Sequence, residues 1–271
     1  MAVITKVSTQ KRKGYFNIFL DNQFAFGVSE KILTEYRLFK GTELTDEQIE
    51  EIKQAQADSR ATDLAMNFLS YQPRSVYEVL QYLNKHEINP EAQSQAVATL
   101  TDLGYLDDKK YSELFIKNNL RVGKDGPNSL KNKLAKKGVD PEIIQNCLAE
   151  FDDESWQEAG VRLVHSLIHQ QGKLATKEII RKAKTKLLSH GFSSELADLI
   201  VDSLDLTNDD NEQLEALKKQ GIKVYKRYRN EDDFTRKQKV KRYLYQHGFS
   251  SNEIDTFLNG EIIDLSEIDE Y

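Results

Sequence analysis

Two periodicities divide the chain. Near the start, Phe16, Ile18 and Leu20 alternate with Tyr15, Asn17, Phe19 and Asp21. After Asp21-Asn22-Gln23 comes Phe24-Ala25-Phe26-Gly27-Val28. Period-two patterning with turn residues between predicts two strands of a hairpin. Residues 4–8 are expected to add a third strand across the Lys11-Arg12-Lys13-Gly14 turn. So small a sheet is marginal alone and is expected to pack on the adjoining chain.

From about residue 58 the apolar positions take helical spacing, as in Leu64, Phe68 and Leu69, or Val76, Val79, Leu80 and Leu83. Prolines stand only at 73, 90, 127 and 141, leaving long stretches open to helix. Four segments share one punctuation: Leu83 to Asn89, Leu134 to Asp140, Leu187 to Ser193 and Leu244 to Ser250. Their apolar residues Ile88, Val139, Phe192 and Phe249 are 51, 53 and 57 residues apart. In each, a helix ends in a residue that tolerates left-handed geometry, usually Gly, and an apolar residue packs back. Asn89, Asp140, Ser193 or Ser250 then suits the N-cap of the next helix. Pro90 and Pro141 fit its first turn. A further helix precedes each pair, at 59–70, 109–122, 154–170 and 211–220. The reading is mainly α: tandem three-helix repeats forming an elongated, curved array behind a short β element. The expected boundaries are 1–50 for the β element and a connecting helix, then modules at 58–108, 109–153, 154–210 and 211–262. An acidic tail fills 263–271.

The 271 residues carry a net charge of −6, which taken alone argues against a nucleic-acid partner. Position changes that. Residues 121–137, 173–186 and 218–242 hold 23 of the 38 Lys and Arg. Residues 140–158, 194–215 and 250–271 are acidic and hold none. If the modules stack in register, the middle helices build a basic stripe, the footprint of a polyanion site. The plainer alternative is that these lysines are solvated helix faces with cations near helix C-termini. Tyr225, Tyr228 and Tyr243, interleaved with the last basic block, are either base-stacking rings or half-buried core residues.

Chemistry is sparse. There is no phosphate-cradling glycine loop, no GxSxG elbow and no HExxH. His165 and His169 share a helix face without a third ligand in sequence, so packing explains them. His86, His190 and His247 occupy one repeat slot beside a helix terminus, which points to capping. A lone Cys147 in an apolar slot excludes a disulfide framework and reads as core. No apolar run spans a bilayer and no signal-peptide pattern opens the chain. The expectation is a soluble, cytoplasmic, monomeric protein that is not an enzyme, with no cofactor, no metal and no membrane partner.

Three segments carry a resemblance. Tyr71-Gln-Pro73-Arg74-Ser75-Val-Tyr77-Glu78 resembles the YRPRSxxE segment of the RecX family of RecA regulators, with Gln72 where Arg is usual. Gly104-Tyr105-Leu106-Asp107-Asp108-Lys-Lys-Tyr111 is similar to its GYLDDxxYA signature, with Ser112 for Ala. Residues 126–139 are similar to its GPxxLxxxLxxKGI segment. Each also has a mechanical reading. Pro73 starts a helix that Ser75 and Glu78 cap as a box. Tyr105 and Leu106 fold back as an apolar plug, and Asp107 or Asp108 caps the next helix.

The resemblance implies a modulator, usually an inhibitor, that binds RecA or the RecA–single-stranded DNA filament, in DNA repair and recombination. The residues then expected to meet RecA or DNA are Arg74, Arg121, Lys124, Lys131, Lys133, Lys137, Arg181, Lys184, Lys226, Arg227, Arg229, Arg236, Lys239 and Arg242. The alternative is a stand-alone DNA-binding helical repeat acting through its basic stripe.

Overall fold

The computed structural model describes residues 1–204, 206 and 210–270, apart from the side chains of residues 210, 269 and 270. The module boundary expected at 210 therefore abuts residues outside the described set, and the last residue of the acidic tail lies outside it as well. The chain forms two compact units, residues 1–112 with 134–144, and residues 113–133 with 145–271.

In the first unit, β1 (Ala2–Thr9), β2 (Tyr15–Leu20), β3 (Gln23–Ser29) and the two-residue β4 (Glu43–Leu44) form an antiparallel sheet in the order β3-β2-β1-β4. The β2–β3 turn is tighter than expected, because Gln23 already pairs with Leu20. Asp21 and Asn22 both take positive φ, at 49° and 67°, as a two-residue hairpin turn requires. Ile4, Ile18, Phe26 and Val28 pack with Ile32 of α1 (Glu30–Glu35) and Ile52 of α2 (Asp46–Leu69). The helix α2 starts thirteen residues before the helix expected at 59–70. A complete capping box between Thr45 and Gln48 begins it, and no Gly or Pro interrupts it. With α3 (Val76–Lys85) and α4 (Pro90–Asp102) it encloses a core of Ala61, Ala65, Val79, Leu83, Ala92 and Leu100.

The remaining helices are α5 (Asp108–Val122), α6 (Pro127–Lys136), α7 (Pro141–Ala149), α8 (Asp153–Ile168), α9 (Thr176–Ser189) and α10 (Ser194–Ser203). After them come α11 (Asp210–Arg227), α12 (Asp233–Gln246), α13 (Ser251–Leu258) and the short α14 (Glu267–Glu270). The helix expected at 211–220 continues as α11 through Gly221, whose missing Cβ lets the Phe257 ring approach. The fourth module's core holds Leu217, Val224, Val240, Leu244, Phe249 and Phe257. Ile268 is buried in the same core, which ties the acidic tail to its own module.

One joint recurs three times. The C-terminus of a middle helix seats on the N-terminus of the preceding module's middle helix. In the first unit, Ser75 Oγ donates to the Lys137 carbonyl at the end of α6. In the second unit, Gly126 and Asn128 N–H groups donate to the His190 and Gly191 carbonyls at the end of α9. Gly248, after α12, approaches the start of α9, where an added Cβ would stand 3.0 Å from Lys177 Cβ. Partial negative charge at one helix end thus meets partial positive charge at the other. Gly138, Gly191 and Gly248 take φ of 74°, 86° and 94°. The first module's counterpart is Glu87, at φ 59° and exposed, where no preceding middle helix exists to approach it.

Candidate functional site

The motif segments build the first joint. Ser75 is the N-cap of α3 and forms the expected box with Glu78, but Pro73 precedes the helix and does not start it. The reason is that Ser75 must stay extended to cap, so helical geometry begins only at Val76. Val76 N–H is received by Asp108 Oδ1 at 2.9 Å, from the first turn of α5. Lys137 Nζ donates to Glu78 Oε1 at 2.7 Å and lies 5.8 Å over the Tyr111 ring. Burial pushes Glu78 up, but hydrogen bonds from Lys137 and the Ser75 N–H outweigh it and hold the carboxyl below its ordinary value. Burial opposes the charge on Lys137 too, and the Glu78 and Tyr111 hydrogen bonds overcome it, raising the ammonium above its usual range. Burial raises Asp108 against the pull of the Val76 bond. In the GYLDD segment Leu106 is the plug, at 1% exposure, while Tyr105 turns outward at 58%.

A parallel lock closes the third joint. Thr176 N–H donates to Gln213 Oε1 at 3.1 Å, and Gln213 Nε2 donates to Glu253 Oε1 at 2.8 Å. Glu253 also completes a capping box with Ser250.

The predicted cations fall into three groups. Lys137 belongs to the first joint. Arg74 is only part-exposed, 4.4 Å over the Phe68 ring and 3.9 Å from Glu78. Arg236 is buried, its Nε and Nη2 donating to the Tyr225 carbonyl at 3.0 and 2.8 Å. Its guanidinium stacks 3.4 Å from the Tyr225 ring centroid, so it is a core residue and not a surface contact. It stands in phase with Val240 and Leu244, and that phase was the available signal.

A second group is exposed, or half-buried in the case of Lys184, but paired. Lys133 meets Asp125 at 2.5 Å, Lys184 meets Asp198 at 2.6 Å and Lys239 meets Glu231 at 2.5 Å. Arg181 grips Glu178 through two bonds, of 2.9 and 2.7 Å, which hold that carboxyl below its usual range.

The third group is exposed: Arg121, Lys124, Lys131, Lys226, Arg227, Arg229 and Arg242. Arg227 hovers 5.6 Å from the Tyr243 ring centroid. Lys219, Lys223, Lys226 and Arg227 share the outward side of α11, opposite Leu217, Val224 and Tyr225. Tyr225 is buried, and Tyr228 and Tyr243 pack against the core, so none of the three is a free ring. The exposed rings of this region are instead Phe234 and Tyr245, which the basic-block pattern does not single out.

His86, His190 and His247 are C-caps, and His247 Nδ1 lies 2.8 Å from the Tyr243 carbonyl. Cys147 is fully buried. Among the described residues no cluster of His, Cys, Asp and Glu could hold a metal, and no helix is long and apolar enough to cross a membrane.

Comparison with known proteins matches four family models. They are described as the regulatory protein RecX N-terminal domain over residues 2–45, and the first, second and third RecX three-helix domains over 61–100, 107–148 and 210–258. The module of α8–α10 lies between the last two matches, and the match to the third domain falls on the fourth module here. The regulatory protein RecX of Lactobacillus gasseri is 64% identical over the whole of both chains. That of Bacillus subtilis is 34% identical, covering 96% of this chain and 99% of its own. A crystal structure of regulatory protein RecX superposes with a TM-score of 0.61 at 30% identity, over 74% of this chain and 100% of the other. The crystal structure of RecX from Lactobacillus salivarius gives 0.53 at 32%, over 56% and 99%.

Proposed function

The chain belongs to the RecX family of regulatory proteins, and from that premise we propose that it restrains RecA by binding RecA or the RecA–single-stranded DNA filament. The observation that carries the reading is full-length similarity to regulatory RecX proteins, together with three family motifs that build a joint and not a reaction centre. A protein of repeated, jointed modules suits a ligand that repeats along its length. The exposed cations of α6, α9, α11 and α12 supply local positive potential despite the net −6 charge. Arg181, Lys184, Lys226, Arg227, Arg229 and Lys239 are assigned to this contact, and Arg236 is not. The purified chain should bind RecA–DNA filaments and suppress strand exchange. Absence of both effects at micromolar protein overturns the reading.

A second reading, stand-alone DNA binding, is favoured by the outward cations of α11. Salt separates the two, because binding through phosphates alone weakens steeply with ionic strength. Charge reversal at the six assigned residues would abolish such binding whether or not RecA is present. In a pure protein scaffold the same reversals would change nothing.

A further inference from the structure

We propose that the outer face of α12 is a base-stacking strip that grips single-stranded nucleic acid directly. The helix holds five cations in 14 residues, yet it exposes two aromatic rings. Phe234 is 73% and Tyr245 66% exposed, more than any other large apolar residue described in the second unit. Phe234, Gln238, Arg242 and Tyr245 follow one another at i, i+4, i+8 and i+11, so they share one face. That face is opposite the buried Arg236, Val240 and Leu244. The rings are therefore not stray core residues, since the core side of the helix is fully occupied by others.

Along the axis, Phe234 and Tyr245 are about 16 Å apart, a span of several nucleotides of extended strand. Arg242 lies between them, and Lys241, still 44% exposed beside Asp255, flanks it. Aromatic faces alternating with cations match a chain of bases alternating with phosphates. A duplex keeps its base faces stacked internally, so the strip distinguishes single strands from double. The third module lacks the feature: the corresponding positions of α9 are Lys177, Arg181, Thr185 and Leu188. This contact rests on the second reading, direct DNA binding, and deepens it by naming the single strand as ligand and α12 as its site.

The test uses the full chain and a fluorescent oligothymidine of about 20 nucleotides, beside a duplex of equal length. Anisotropy should show tighter binding to the single strand. The double variant Phe234→Ala/Tyr245→Ala should bind oligothymidine about tenfold or more weakly, with the salt slope unchanged, because no phosphate contact is lost. Phe234→Tyr/Tyr245→Phe keeps both rings and should bind as the parent does, whereas Arg242→Gln should lower both affinity and salt slope. The strip is refuted if the double alanine variant binds oligothymidine normally, if the ring-retaining variant loses as much, or if the parent binds duplex equally well. RecA ATPase is measured on the same variants. Loss of oligothymidine binding with RecA restraint intact leaves the regulatory reading standing. Loss of RecA restraint alone makes the strip a protein contact and overturns the proposal.

Discussion

Glycine at the joint is required twice over, by backbone angle and by space. At Gly191 an added Cβ would overlap the Ser129 backbone nitrogen, and φ is 86°. Gly191→Ala should therefore lower stability by about 2 kcal/mol or more in urea unfolding. Glu87→Gly should change it by less than about 1 kcal/mol, because Glu87 is exposed and its strain is released as flexibility is gained. Equal effects of the two substitutions would contradict the account of the joint. The repeated Gly and its one exception were readable along the chain, but what the glycine touches was not. Arg236 was the harder residue, since nothing in composition separates it from its neighbours Lys237 and Lys239. Arg236→Ala should cost about 2–3 kcal/mol by stranding the Tyr225 carbonyl. A surface arginine would cost almost nothing.

Among the elements, caps and joints were the legible part, because their chemistry is local. Ser75 with Glu78 needs only a spacing of three to be recognised. Their partners at Asp108 and Lys137 lie 32 and 62 residues from the α3 groups they bond, and such separation leaves no local signal. The Glu78–Lys137 contact gives the first joint a pH dependence. Glu78 has a folded value below its unfolded one, so its contribution is complete above the ordinary glutamate range and is lost as pH falls through the depressed value. Lys137 is raised, so its contribution persists below the ordinary lysine range and is lost only in strong alkali. Glu78→Gln should destabilise by about 2 kcal/mol at neutral pH, with the difference shrinking as pH falls through the depressed Glu78 value. An unchanged difference at acid pH would remove the ion pair from the explanation. The helices α2 and α11 are longer than apolar periodicity predicts, for a physical reason too. A polar stretch without a breaker reads as loop when apolar periodicity is the guide, although capping and propensity sustain the helix.

For the whole molecule, net charge misleads and its distribution informs. Basic and acidic blocks are visible in the sequence and the phase of Arg236 with Val240 and Leu244 is as well, whereas the pairing of Lys133, Lys184 and Lys239 emerges only from packing. Exposed ion pairs of this kind contribute about 1 kcal/mol or less, so a polyanion can displace the carboxylate partners. Reversing Lys226, Arg227 and Arg229 to glutamate should leave unfolding nearly unchanged while weakening filament binding about tenfold or more. Loss of folding instead would place those residues in the core. Regulation of RecA is read out by RecA ATPase on single-stranded DNA titrated with the whole chain. Turnover should fall with a saturating dependence on added protein; turnover unchanged throughout a micromolar titration would contradict the account.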